Sequence, residues 1–178
     1  MPKTYTTIPS VVAGETYSAT AHNVIATTIN NHTVPPSVSV YSTANVTCAN
    51  NAFTRLSFTT ANYDTDSMKG AGTVTGLSIN TTGLYLITCY VTFDTNATGN
   101  RGVYIDRGTA SSITTIIGYG YGAPQNANYS DVLATALVSL TAGDTIQAFG
   151  WQNSGGNLDS LGGLANRAFA ATWIGRTS

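Results

Sequence analysis

Residues 84–94 read Leu-Tyr-Leu-Ile-Thr-Cys-Tyr-Val-Thr-Phe-Asp, and this run restricts the possible folds more than any other in the chain. Side chains alternate across an extended strand, so Tyr85, Ile87, Cys89, Val91 and Phe93 share one face. Leu84, Leu86, Thr88, Tyr90 and Thr92 share the other. A helix would scatter this pattern around its axis instead of gathering it into one stripe. The first face is wholly apolar and demands a core. The second is mixed, so the strand is expected to be covered on both sides, in part.

The same period continues either side. Shorter runs at 37–44, 54–58, 74–79, 101–106, 113–119, 132–140, 145–151 and 167–174 bring the expected strands to nine. Turn sequences such as Asn80-Thr81-Thr82-Gly83 and Thr141-Ala142-Gly143-Asp144 separate them. Many short strands at this spacing predict an all-β fold built as a sandwich, and a jelly roll is a common way to arrange them.

Composition agrees. Charged residues make up 8% of the chain, against roughly 25% in ordinary soluble proteins. Thr, Asn, Ser and Gly supply the polarity, a palette that suits strands and tight turns more than exposed helices. The basic residues Lys3, Arg55, Lys69, Arg101, Arg107, Arg167 and Arg176 are scattered and the net charge is −1. No nucleic-acid partner is expected from such a distribution. No apolar run approaches the roughly 18 residues of a membrane span, so membrane insertion is not expected. The start, Met1-Pro2-Lys3-Thr4-Tyr5, has no apolar segment of the secretory kind, so export by that route is not expected. Cys48 and Cys89 are too few for a disulfide framework and have no ligating neighbours at metal spacing. Cys89 reads as a small buried hydrophobe. No cofactor or metal is called for.

Residues 1–36 differ from the rest. Ser18 or Thr20 is placed to cap one small helix over 21–30, with Val24, Ile25, Thr28 and Ile29 on one side. Pro35-Pro36 then ends it. Two or three turns rich in β-branched residues are marginal alone in water. The expectation is a leader, 1–36, that attaches to a larger assembly or trimerises through Val24, Ile25 and Ile29, followed by a head, 37–178.

Several stretches carry a resemblance. They are Tyr63-Asp64-Thr65-Asp66-Ser67-Met68, Thr82-Gly83-Leu84-Tyr85-Leu86-Ile87 and Arg101-Gly102-Val103-Tyr104-Ile105-Asp106. Leu140-Thr141-Ala142-Gly143-Asp144, Gln152-Asn153-Ser154-Gly155-Gly156 and the closing Phe169-Ala170-Ala171-Thr172-Trp173-Ile174-Gly175 follow. In this order and spacing they resemble the C1q/TNF-like jelly-roll family, in particular its bacteriophage members in fibre, minor tail and virion surface proteins. The resemblance implies a homotrimer with a ten-stranded sandwich in each subunit and ligand contacts at the apex or flanks. It also implies a place on the virion surface, on tail or capsid, after assembly in the host cytoplasm. The leader would then dock on other virion proteins, and the head would meet a host-surface glycan or protein. A tail fibre and a capsid decoration both remain open, as does a cellular lectin-like module.

Catalysis is not expected. His22, His32 and Glu15 all precede residue 37, which leaves the sandwich no nucleophile–His–carboxylate set. Asp64 and Asp66 could ligate a calcium ion, but the plainer reading is a turn in which Asp side chains bond nearby amides. The segment 118–130 mixes Tyr with Gly, Asn and Ser, the palette of adaptable binding loops. Tyr119, Tyr121, Asn126, Asn128 and Tyr129 are therefore candidate ligand contacts, with covering of a sandwich edge or packing on a neighbouring subunit as the alternative. Asn153 and Asn157 form a second, Gly-rich candidate loop, and Trp151 is a core or interface anchor. Leu86 and Tyr90 would leave an apolar patch on a lone subunit. In the resembled family aromatic residues of this strand pack near the threefold axis, which implies Tyr90 at the trimer seam; Leu86 and Trp151 are further candidate trimer contacts, and burial of the patch against a loop of the same chain is the alternative.

Overall fold

A computed structural model of the chain describes residues 18–20, 22, 23, 25, 26, 29, 34–125 and 128–176. Residues 19, 20, 22, 23, 25, 26 and 29 are helical, and the His22 amide donates to the Ser18 carbonyl at 3.1 Å. The start of the predicted helix is thus in place. Ile25 is half-buried and Ile29 exposed, while Val24 and Thr28 lie outside the described residues.

Among the described residues twelve strands follow: β1 (Ser37–Tyr41), β2 (Val46–Cys48), β3 (Thr54–Arg55), β4 (Thr60–Asp64), β5 (Gly76–Ser78), β6 (Gly83–Phe93), β7 (Arg101–Arg107), β8 (Ile116–Gly122), β9 (Ser130–Leu140), β10 (Thr145–Gln152), β11 (Leu158–Ser160) and β12 (Arg167–Gly175). They form two antiparallel sheets. Sheet A runs β2-β11-β6-β12-β1-β4, with β9 paired to the free side of β6. Sheet B runs β3-β10-β7-β8, with β5 also on β10. The all-β sandwich expected from the alternation is the fold found.

The long run 84–94 is β6, and its apolar face is the centre of the core. Tyr85, Ile87, Cys89, Val91 and Phe93 are fully buried, packed with Val38, Val40, Phe169 and Ala171 from sheet A. Val103, Ile105, Ile146 and Ala148 face them from sheet B. β9 alternates buried and exposed, and its inward residues are small at the centre: Ala134 and Ala136 point inward while Leu133 and Leu137 point out. The reason is the neighbouring edge. A Cβ on Gly118 would lie 2.7 Å from the Thr135 carbonyl oxygen, and one on Gly120 would collide with that of Leu133. The backbones of β8 and β9 therefore abut across the gap between the sheets, and only small inward side chains fit beneath.

Two buried arginines fasten the loops at one end. Arg101 donates to the Thr98 and Asn96 carbonyls at 2.8 and 2.9 Å. Arg167 donates to the Ser160 carbonyl and hydroxyl, both at 2.9 Å, and to the Ala44 carbonyl. Burial pulls both guanidinium groups below their usual range. Backbone oxygens, not carboxylates, compensate them.

Candidate functional site: two outer faces of unlike chemistry

A sandwich hides one face of each sheet, so its function must come from the outer faces and the loops. On sheet A, the outward residues of β6 meet those of β9 in register, Leu86 opposite Leu137 and Tyr90 opposite Leu133. Leu133 is 57% and Leu137 62% exposed, and Leu86, Ile174 and Tyr63 are exposed as well. Tyr90 is half-buried, and its hydroxyl lies 3.2 Å from Thr92 Oγ1. Thr92 donates onward to the Asp131 carboxylate at 2.7 Å. The expected patch around Leu86 and Tyr90 is therefore present and wider than the sequence indicated, since β9 and β12 enlarge it with leucine and isoleucine.

Sheet B is aromatic on its outer side. Tyr104 of β7 stands opposite Tyr119 of β8 and Phe149 of β10. Gly102 stands opposite Tyr121 and Trp151. Phe149 is fully buried and Tyr104 nearly so, yet both lie outside the central core cluster, because they are roofed from the outer side. The roof is a lattice of rings. Phe53 meets Tyr104 edge-on with centroids 4.9 Å apart. Tyr121 meets Tyr104 edge-on at 5.6 Å, Tyr119 at 5.8 Å and Trp151 at 6.1 Å. These are favoured aromatic geometries, each worth about 0.5–1.5 kcal/mol beyond area burial. The Tyr104 and Tyr121 hydroxyls also bond each other. Gly102 makes the lattice possible, for a Cβ there would press on the Tyr104 and Tyr121 rings at 3.0 and 3.2 Å.

The polar margin of this face is internally satisfied. Arg55 Nη1 donates to Gln147 Oε1 at 3.1 Å, and Gln147 Nε2 donates to the Gly108 carbonyl. Asp106 is buried, and its carboxylate accepts the Thr114 amide at 2.9 Å and also the Thr115 amide.

Tyr119 and Tyr121 are thus not loop residues. They belong to β8, which runs three residues further than the expected strand ending at 119. Tyr129 is exposed beside the start of β9, and the Asn128 amide donates to the Gln125 carbonyl at 2.8 Å. Asn126 lies outside the described residues. Asn153 is occupied structurally: its Oδ1 accepts the Asn100 amide, tying the approach to β7 to the end of β10. Asn157 is exposed. Trp151 belongs to the aromatic face of sheet B, so it is separated by the whole sandwich from Leu86 and Tyr90.

The Asp64 carboxylate accepts the amides of Asp66, Met68 and Lys69 at 3.2, 3.0 and 2.8 Å, which is the turn reading. Among the described residues no three His, Cys, Asp or Glu side chains come together. Cys48 and Cys89 are free, buried thiols. Burial pushes them up to about 11 and about 12.

No family model matches the chain, and no curated protein matches it. Solved structures do. The chain is similar to Eiger TNF from S. frugiperda, with 14% identity and a TM-score of 0.60, over 80% of this chain and 96% of that one. It is similar to murine APRIL, with 12% identity and a TM-score of 0.62, over 78% and 98%. The globular domain of zebrafish complement 1qA protein matches with 13% identity and a TM-score of 0.56, over 80% and 99%. At such identities the likeness is one of fold, and the fold is the C1q/TNF-like jelly roll.

Proposed function

We propose, from a C1q/TNF-like jelly roll with an aliphatic outer face, that the chain is a homotrimeric, non-enzymatic binding head. It is carried on a virion surface through residues 1–36 and turned outward toward a host-surface receptor or glycan. The observation that carries this reading is the face of sheet A on which Leu133 stands opposite Tyr90 and Leu137 opposite Leu86, with Ile174 exposed at the Leu84 end of the same face. Aliphatic side chains grouped on one flat face gain about 25 cal/mol for each Å² removed from water, and exposed apolar patches mark contact surfaces. A second copy meets the need without charge pairing. The only ion pair among the described residues, Arg107 to Asp144 at 2.9 Å, lies elsewhere.

The virion setting is supported by the ordered stretches between Tyr63 and Gly175 that resemble bacteriophage members of the family. A non-catalytic role is supported by a sandwich without His or Glu and by the amide-saturated Asp64. Three weak sites on one trimer would act together, gaining avidity without any new contact.

Native mass measurement tests the assembly. The wild-type protein should weigh three times 18.5 kDa. Leu133→Glu/Leu137→Glu should weigh one chain with its β-type circular dichroism kept. A wild-type mass of a single chain overturns the trimer. Immunogold labelling of purified particles should place the protein on tail or capsid, and unlabelled particles overturn the virion role.

A further inference from the structure

The two outer faces differ in kind, and the difference indicates what each is for. Sheet A presents leucine and isoleucine, which suit a dry protein seam. Sheet B presents rings, held by one another at fixed angles and bearing hydroxyls at their tips. Tyr119 is 63% and Tyr121 57% exposed, and Phe53 and Trp151 flank them, over a floor of Tyr104. We propose that this outer face of sheet B, with Phe53, Tyr104, Tyr119, Tyr121 and Trp151, is a saccharide platform that takes neutral pyranose rings. It names the ligand of the adhesive head and to that extent rests on the reading above.

Three physical points select the ligand. First, the rings are preorganised. Each edge-to-face contact fixes its neighbour, so little side-chain entropy remains to be lost on binding, and tyrosine provides rigid amphipathic area cheaply. Second, the rings are uncharged and the margin offers little charge beside them. Arg55 is a single guanidinium whose Nη1 bonds the Gln147 side chain and the Ala110 carbonyl, and the Asp106 carboxylate accepts the amides of residues 114 and 115. A polyanion would find one cation at the margin, too few to match it, and a cation no free carboxylate, so the complementary ligand is neutral. Third, the surface combines flat apolar area with hydroxyl donors and acceptors. A pyranose has the matching pair, a C–H face to lie on a ring and a hydroxyl rim to bond its edge. An alkyl chain would waste the hydroxyls.

The experiment titrates the full-length protein with maltotriose, chitotriose and a trimer of glucuronic acid, reading tryptophan emission and saturation-transfer NMR. Saturable binding of a neutral trisaccharide is expected, with contacts on tyrosine ring protons. Tyr119→Ala/Tyr121→Ala should weaken it about tenfold or more while leaving native mass and β-type circular dichroism at wild type, with a thermal midpoint lowered by the lost ring contacts but still well above the assay temperature. The monomeric Leu133→Glu/Leu137→Glu protein should bind as well per chain as wild type, because its changes lie on the other sheet. A wild type that weighs one chain yet binds would sink the trimer and leave the platform standing. No neutral sugar bound at millimolar concentration, tighter binding of the glucuronate, or undiminished binding by the tyrosine variant each overturns the platform. Binding seen only in the monomeric variant does so too, since the face would then be a seam between subunits.

Discussion

Single residues fix this chain by unusual means, given how few charges it owns. Arg167 is the largest such case, a buried guanidinium with no carboxylate in reach that instead gathers the Ser160 and Ala44 carbonyls and the Ser160 hydroxyl. Removing it takes the guanidinium donors from the two carbonyls, at about 1–3 kcal/mol each, while the Ser160 hydroxyl keeps its bond to the Val46 carbonyl. Arg167→Met should therefore cost about 3 kcal/mol despite adding apolar surface, read as a lower urea midpoint with unchanged slope. A midpoint equal to wild type would show that the carbonyls find water instead. The thiols make a second residue-scale prediction. Both are raised by burial, from an ordinary 9.0 to about 11 for Cys48 and about 12 for Cys89. Above pH 9 the unfolded chain loses thiol protons that the folded chain keeps, so the folded state is progressively penalised. This stabilising term is complete below the unfolded value and is lost as pH rises through 9 toward 11 and 12. Urea midpoints at pH 7 and pH 10 should fall more steeply for wild type than for Cys48→Ala/Cys89→Ala. Equal slopes would mean that the thiols reach solvent in the native state.

At the scale of elements, the edge where β8 meets β9 decides both the shape of the core and the presentation of the tyrosines. Gly120 sits against the Leu133 carbonyl, where a side chain has no room. Gly120→Val should prise this edge open at about 2 kcal/mol or more, and β8 amides should lose hydrogen-exchange protection before those of β6 do. Uniform protection in the variant would contradict the close approach. The same edge shows where sequence reading stops. Gly118-Tyr119-Gly120-Tyr121-Gly122 reads as a loop because glycine is depleted in strands, yet here glycine is what lets one strand touch another. Strands of strong alternation, such as β6 and β12, were legible at once. β2 and β11 are three residues each and are defined by their pairing with each other and by the hold of β11 on the end of β6, and β4 has no buried stripe at all. Of the outer faces, Leu86 and Tyr90 could be named because β6 is apolar on both sides. Leu133 and Leu137 share their side of β9 with Asp131, Thr135 and Ser139, so alternation turns them outward, but it does not say that they meet Tyr90 and Leu86 across the strand pair. Tyr104, Phe149 and Phe53 escaped for a related reason: period two says which residues share a side, never which side is covered.

Across the whole molecule the topology joins distant sequence, with β12 seated between β1 and β6, so Ser37 pairs with Thr172 and sheet A is not complete until the last strand arrives. What holds this arrangement, and by the proposed reading its assembly, is burial rather than Coulomb attraction. The chain has seven basic and eight acidic residues in 178, and a single ion pair among the described residues, its arginine 41% exposed. Raising sodium chloride from about 0.01 to 1 M shortens the screening length from about 30 to 3 Å. A protein held by surface charge would loosen over that range, whereas apolar burial is insensitive to screening. Thermal midpoint and native mass should therefore stay constant across the series, while Leu133→Glu/Leu137→Glu remains a single chain even at the highest salt, where repulsion between the new carboxylates is screened. The last condition separates two reasons for its dissociation. If high salt restored the variant to the wild-type mass, charge repulsion rather than lost apolar contact would have kept its chains apart, and the aliphatic face of sheet A would not be what draws the subunits together.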